Sequence, residues 1–159
     1  MITSESVEQT CSQVGEYSDE MMAEEFDRFF RAQPAICDFV VELTHESGQR
    51  VQELAMFLSY MVVKTLEIGG IAGIGAVTRE TIEAAYGESE SWIDHMSRAE
   101  GVELQSALAA SFKKDTEPYL LQYVVSELNQ PLDDGAELDD NEKGEVFFVL
   151  KTVISSLSN

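Results

Sequence analysis

Apolar residues recur along this chain with the period of a helix, and no stretch between turn signals alternates as a half-buried strand does. Met22, Phe26, Phe29 and Phe30 fall at i, i+4, i+7 and i+8, one stripe on a helix. Ser18 stands before them as the expected N-cap. Asp19 and Glu20 follow in the first turn, where negative charge complements the helix dipole. Pro34 suits the first turn of a second helix, because its missing N–H costs nothing there. Ile36, Phe39, Val40 and Leu43 make that helix's buried face, and Gly48 stops it. From Gln49 to Ile68 the apolar positions (Val51, Leu54, Ala55, Phe57, Leu58, Met61, Val62 and Leu66) wrap well past a single stripe. A helix apolar on most sides is a central one, so residues 54 to 66 are expected to be the most buried.

Beyond the glycines of residues 69 to 75, Thr78 reads as another N-cap, with Val77 and Ile82 placed to form a hydrophobic staple. The period continues through Ile82, Ala85, Tyr86, Ile93 and Met96, with an interruption or bend expected near Gly87. Leu104, Leu108, Ser111 and Phe112 predict a further helix. Leu120, Tyr123, Val124 and Leu128 predict another, opened by Thr116 and Pro118. Val146, Phe147, Leu150, Val153, Ile154 and Leu157 predict the last. The expectation is an all-α fold, a single-domain bundle of about six or seven helices. Residues 1–17 read as an acidic N-terminal segment, either a short helix or partly disordered, ahead of a helical domain over residues 18–159.

Two helix pairs resemble one another. "PAICDFVVEL" from Pro34 and "PYLLQYVVSEL" from Pro118 share the proline, an aromatic five residues on, and the Val-Val that follows. "ELAMFLSYMV" from Glu53 matches "EVFFVLKTVI" from Glu145. An internal duplication of a helix pair would account for both matches, with the second copy eight residues longer. The extra residues fall within "LDDGAELDDNEKGEV", residues 132 to 146, where seven carboxylates accompany one lysine, so an elongated turn is expected there.

Charge changes the functional picture more than it changes the fold. Lys and Arg total 10 against 30 Asp and Glu, a formal charge of −20, while hydrophobic residues still make up 44% of the chain. Such a field repels nucleic acid and anionic membrane and favours basic proteins and cations. The longest apolar run, Leu54 to Val63, is half the length of a membrane span, and no basic, then apolar, leader opens the chain. Cys11 and Cys37 form no disulfide framework and no metal spacing, which fits reduced thiols in the cytoplasm.

Candidate chemistry is thin. From Asp139 the chain places Asp, Asn and Gly at positions of a calcium loop. However, Lys143 stands where an oxygen ligand belongs and Leu150 where the bidentate glutamate should be. "GGIAGIGAVT" leaves a helix rather than a strand and lacks a Gly-Lys-Ser/Thr, so its glycines read as a helix end, not a phosphate grip. Glu42 and His45 have the spacing of a di-iron helix motif but stand without the second motif that such a site needs. Cys37 and His45 are two helical turns apart, too far for a direct hydrogen bond along one helix. No cofactor or metal is expected. Phe147 and Phe148 are adjacent, so one narrow seam cannot bury both, and a homodimer or partner contact would cover the other.

The leading expectation is a non-catalytic interaction or regulatory protein that meets a basic protein partner and contacts neither nucleic acid nor membrane directly. Its expected partner-binding residues are Asp133, Asp134, Glu137, Asp139, Asp140 and Glu142. Two alternatives belong to other classes. One is a nucleic-acid mimic or toxin-neutralising protein, and the other a metal-dependent enzyme using Glu42 and His45.

Overall fold

The computed structural model describes residues 2–70, 74–97, 117–131 and 135–158. Among them are seven helices and no strand: α1 (Ser4–Gly15), α2 (Asp19–Ala32), α3 (Pro34–Thr44), α4 (Gln49–Ile68), α5 (Arg79–Ser97), α6 (Pro118–Leu128) and α7 (Asp140–Ser158). The fold is an all-α bundle, as the helical period requires. The helix expected around Leu104 and Phe112 lies outside the described residues. The acidic N-terminal segment folds as α1, with Thr10 and Val14 buried as it packs on α4 and α6. α5 runs unbroken through Gly87, contrary to the expected interruption. A single exposed glycine inside a helix costs about 1 kcal/mol against alanine, too little to break a helix packed on α7 and α3.

The helix starts follow local chemistry. The Ser18 hydroxyl accepts the Met21 N–H at 3.2 Å, and Pro34 occupies the first turn of α3. The Thr78 hydroxyl accepts the Thr81 N–H at 3.2 Å, while Val77 and Ile82 both join the core. Gly48, at φ 93°, adopts the left-handed backbone that lets α4 begin four residues after α3 ends.

α4 is the centre. From Leu58 to Leu66 every residue is buried, and α4 packs on α1, α3 and α7. Small hydroxyls sit where central helices touch, each returning its proton to a carbonyl of its own helix. Ser59 donates to Ala55, Thr65 to Met61 and Ser156 to Val153. Buried polar groups satisfied in this way impose no desolvation penalty on the core.

The helix pair is built twice. α3 and α6 are 11 residues each, begin with proline, and share the same unusual N-cap backbone, φ −132° at both Gln33 and Glu117. Neither N-cap side chain caps its own helix, and both are buried. Each instead reaches across to the backbone that precedes another helix. The Gln33 side chain accepts the Val77 N–H at 2.9 Å and donates to the Gly75 carbonyl at 3.0 Å. The Glu117 carboxylate accepts the Ile2 N–H at 2.8 Å.

Val77 precedes the N-cap of α5 and Ile2 precedes the N-cap of α1. The sequences there now align as "VTRETIE" and "ITSESVE". In both, the N-cap threonine (Thr78 or Thr3) accepts an N–H three residues on and pairs with that residue's hydroxyl. The packing is reciprocal: α1 meets α4 and α6, and α5 meets α7 and α3. Burial corrects the sequence register of the longer helices by one residue. Leu58, Val62 and Thr65 correspond to Val149, Val153 and Ser156, so the second linker (129–139) is seven residues longer than the first (45–48), not eight.

One buried ion network ties α2 to α4. The Lys64 ammonium lies 2.7 Å from Glu25 and 5.8 Å from the centre of the Tyr17 ring, and Arg28 reaches the other Glu25 oxygen at 2.6 Å. Burial pushes the Glu25 carboxyl upward, but hydrogen bonds and charge from Lys64 and Arg28 outweigh it and hold the group below its ordinary 4.5. Burial pulls Lys64 down, and Glu25 overcompensates, leaving it above its ordinary 10.5.

Two outcomes follow from this packing. Leu58 is fully buried, and Leu58→Ala should lower stability by about 2–5 kcal/mol in a denaturant melt, since the hole it leaves cannot collapse between central helices. The lowered Glu25 pKa means that its contribution is complete above pH 4.5 and fades as pH falls through the folded-state value. The raised Lys64 pKa fades in the opposite direction, above pH 10.5. Glu25→Gln should therefore flatten the acid limb of a stability–pH profile, and a variant with a limb as steep as the parent would assign acid sensitivity elsewhere.

Candidate functional site

The acidic stretch divides into structural and outward-facing parts. Asp139 is the N-cap of α7: its Oδ1 accepts the Glu142 N–H at 2.8 Å, and Glu142 returns the bond to the Asp139 N–H at 3.0 Å. This reciprocal pair satisfies two orphan donors, and Asp139, Asp140 and Glu142 place negative charge at the positive end of the helix. Glu142 also lies 3.6 Å from Arg50, and Glu145 accepts the Ser47 hydroxyl. The buried Leu138 anchors the turn, while Glu137 and Asp140 face solvent. Asp133 and Asp134 lie outside the described residues. Lys143 donates to Asn129 at 3.3 Å and Leu150 is wholly buried, so the calcium-loop positions do not converge.

Glu42 and His45 do not come together with other ligands. Glu42 lies 3.7 Å from Arg79, and His45 is the exposed C-cap of α3. Among the described residues no group of three or more His, Cys, Asp or Glu could hold a metal ion. The thiols are poorly disposed to react. Burial, helped by the charge of Asp38, pushes Cys37 up to about 12. Burial also raises Cys11 above its ordinary value, with Glu127 and Glu8 adding to it despite a Tyr123 hydrogen bond. A thiol held protonated is a weak nucleophile.

A concave feature lies elsewhere, between α3 and α5. A groove of about 450 Å³ has a floor of Ala35, Phe39, Leu43, Ile82 and Tyr86. Phe39 and Tyr86 meet edge to face, ring centres 6.1 Å apart, and Phe148 supports Tyr86 from behind at 5.3 Å. Asp38, Glu42 and Glu83 stand on the rim, all exposed, against a single cation, Arg79. Arg79 is itself engaged by two of them, at 3.7 Å from Glu42 and 3.5 Å from Glu83. The arrangement suits an apolar surface carrying positive charge at its edges.

Sequence reasoning placed Phe39, Ile82 and Tyr86 on buried faces without joining them into a groove. The available signal was an acidic residue beside each apolar stripe, Asp38 and Glu42 on α3 and Glu83 on α5, all at helical spacing. What no periodicity supplies is the adjacency of α3 and α5, which depends on Gln33.

Known proteins offer no template. No family model, curated protein or solved structure matches this chain. Phe147 and Phe148 both find aromatic neighbours within the chain, Trp92 at 5.6 Å and Tyr86 at 5.3 Å. Both adjacent rings therefore meet aromatic side chains of α5.

Removing charge from the turn separates its two roles. Asp133, Asp134, Asp139 and Asp140 changed together to Asn should leave stability within about 1 kcal/mol of the parent, because like charges are relieved and Asn caps as well as Asp. Asp139→Ala, which loses the cap, should cost about 0.5–2 kcal/mol. Thermal melts check both. A collapse of the fourfold variant would mean that the turn holds structural contacts beyond the cap.

Proposed function

We propose that the protein is a non-catalytic interaction or regulatory protein of the cytoplasm, whose acidic surface receives a basic protein partner. One observation carries this reading: among the described residues, five of the chain's ten cations (Arg28, Arg31, Arg50, Lys64 and Arg79) are engaged by its own carboxylates. Asp38, Glu137 and Asp140 meanwhile stand exposed on the groove rim and the acidic turn with no ion-pair partner among the described residues. A surface with surplus carboxylates and an internal excess of 20 negative charges draws basic partners by long-range steering. The absence of a gathered ligand set around Glu42 and His45 among the described residues leaves the metal-dependent alternative without support.

The test begins with capture from lysate of the source organism at low salt and continues with the purified captured protein. A basic partner is expected whose association slows as salt rises. The fourfold Asp→Asn variant should slow association at low salt and flatten that dependence. Association that is indifferent to salt and to the variant would defeat the reading. Displacement of this protein from its partner by duplex DNA would make the surface a mimic of nucleic acid.

A further inference from the structure

The groove between α3 and α5 has a counterpart in the other half of the molecule. Through the repeat, α3 corresponds to α6 and α5 to α1, and the two seams can be compared position by position. They differ in three respects. Ala35 at the lip of the groove is replaced in the counterpart by Tyr119, a large and substantially exposed side chain. On the rim Asp38 and Glu42 are replaced by the neutral Gln122 and Ser126, while Glu83 is kept as Glu8 and Arg79 becomes Ser4. Leu43 and Tyr86 on the floor are replaced by Glu127 and Cys11, and Phe39 by Tyr123. One architecture thus appears once with a small lip, an apolar floor and an acidic rim, and once with a bulky lip and polar groups in the seam.

Resting on the basic-partner reading above, we infer that the α3–α5 groove is the docking site for an amphipathic helix of that partner, its apolar stripe on Phe39, Ile82 and Tyr86 and its Lys or Arg side chains against Asp38, Glu42 and Glu83. Shape and charge both select this occupant. The floor is made by two helices, α3 presenting Ala35, Phe39 and Leu43 at i, i+4 and i+8 and α5 presenting Ile82 and Tyr86 at i and i+4. The groove between two such stripes receives the side-chain ridge of a third. From Pro34 to Leu43 the α3 wall is about 13 Å long at ~1.5 Å per residue, room for two to three turns of helix. Three rim carboxylates against one guanidinium, which two of them already engage, leave negative charge that a neutral or anionic occupant would bury without compensation. Cationic side chains flanking an apolar stripe supply the missing charge.

The test uses the full chain and a fluorescent synthetic peptide of about 14 residues, roughly four helical turns, with Leu at i, i+3, i+4 and i+7 and Lys elsewhere. A peptide of the same composition in scrambled order removes the stripe and keeps the charge. Anisotropy at low salt should show the striped peptide binding at least about tenfold more tightly than the scrambled one. Ala35→Tyr, which copies the lip of the counterpart, and the pair Asp38→Asn with Glu42→Gln should each weaken the striped peptide by about tenfold. The pair Gln122→Lys with Ser126→Lys makes the same change in net charge at the other seam and should alter binding by less than about twofold.

If Ala35→Tyr melts early, the neutralising pair decides, because both of its positions are exposed. Equal binding of striped and scrambled peptides, or equal losses at the two seams, would show attraction to net charge alone and overturn the docking site while leaving the basic-partner reading intact. That reading fails only if the captured partner proves indifferent to salt. Full binding by the groove variants alongside a salt-sensitive partner would move the contact to the acidic turn and likewise overturn the groove.

Discussion

A buried backbone N–H needs an acceptor, and at two places in this fold the acceptor is a side chain at the start of a distant helix. Gln33 holds the Val77 N–H, and Glu117 holds the Ile2 N–H. Leaving such a donor unpaired in the interior costs about 1–3 kcal/mol, so each contact strongly fixes where the next helix begins. Gln33 also grips the Gly75 carbonyl, which sets the start of α5 beside α3. The groove exists because of that placement. Without it, the two apolar stripes would have no reason to face the same opening.

The halves share their scaffold and differ in their surfaces. The cap threonines of α1 and α5, the proline starts of α3 and α6, and the buried hydroxyl at Thr65 or Ser156 recur in both, because they serve backbone groups that every copy of the architecture exposes. Charge recurs only in part, at Glu80 and Glu83, which match Glu5 and Glu8. Lys64, which pins α2 through Glu25, corresponds to Ser155 in α7, and two of the three rim acids, Asp38 and Glu42, correspond to neutral residues. What repeats is what the fold needs, and what differs is where the two seams have been given different chemistry.

Much of this architecture was legible in the sequence. The span of α4, the caps at Ser18 and Thr78, and the proline start of α3 all followed from side-chain chemistry acting within a few residues. α5 overrode its glycine because tertiary packing outweighs a propensity of that size. The repeat was visible at α3 and α6, where proline and Val-Val mark the register. It was hidden at α1 and α5, because "ITSESVE" and "VTRETIE" share only a cap threonine, two glutamates and apolar positions, a pattern common to helix starts. The acidic stretch was legible as a turn, but its division into cap and surface required the position of Arg50, Ser47 and the start of α7. The groove was not legible, since it depends on which helices become neighbours.

The bond between Glu117 and Ile2 joins residues 115 apart in the chain. Closing a loop of that length carries an entropy penalty that grows as about (3/2)RT ln n, repaid only when both ends meet a formed surface. During synthesis α1 can settle on α4 early, but its second neighbour, α6, is translated much later. α1 therefore stays partly covered until α6 has been made. The start of α1 is thus locked by a residue 115 positions downstream, a contact that local folding alone cannot make.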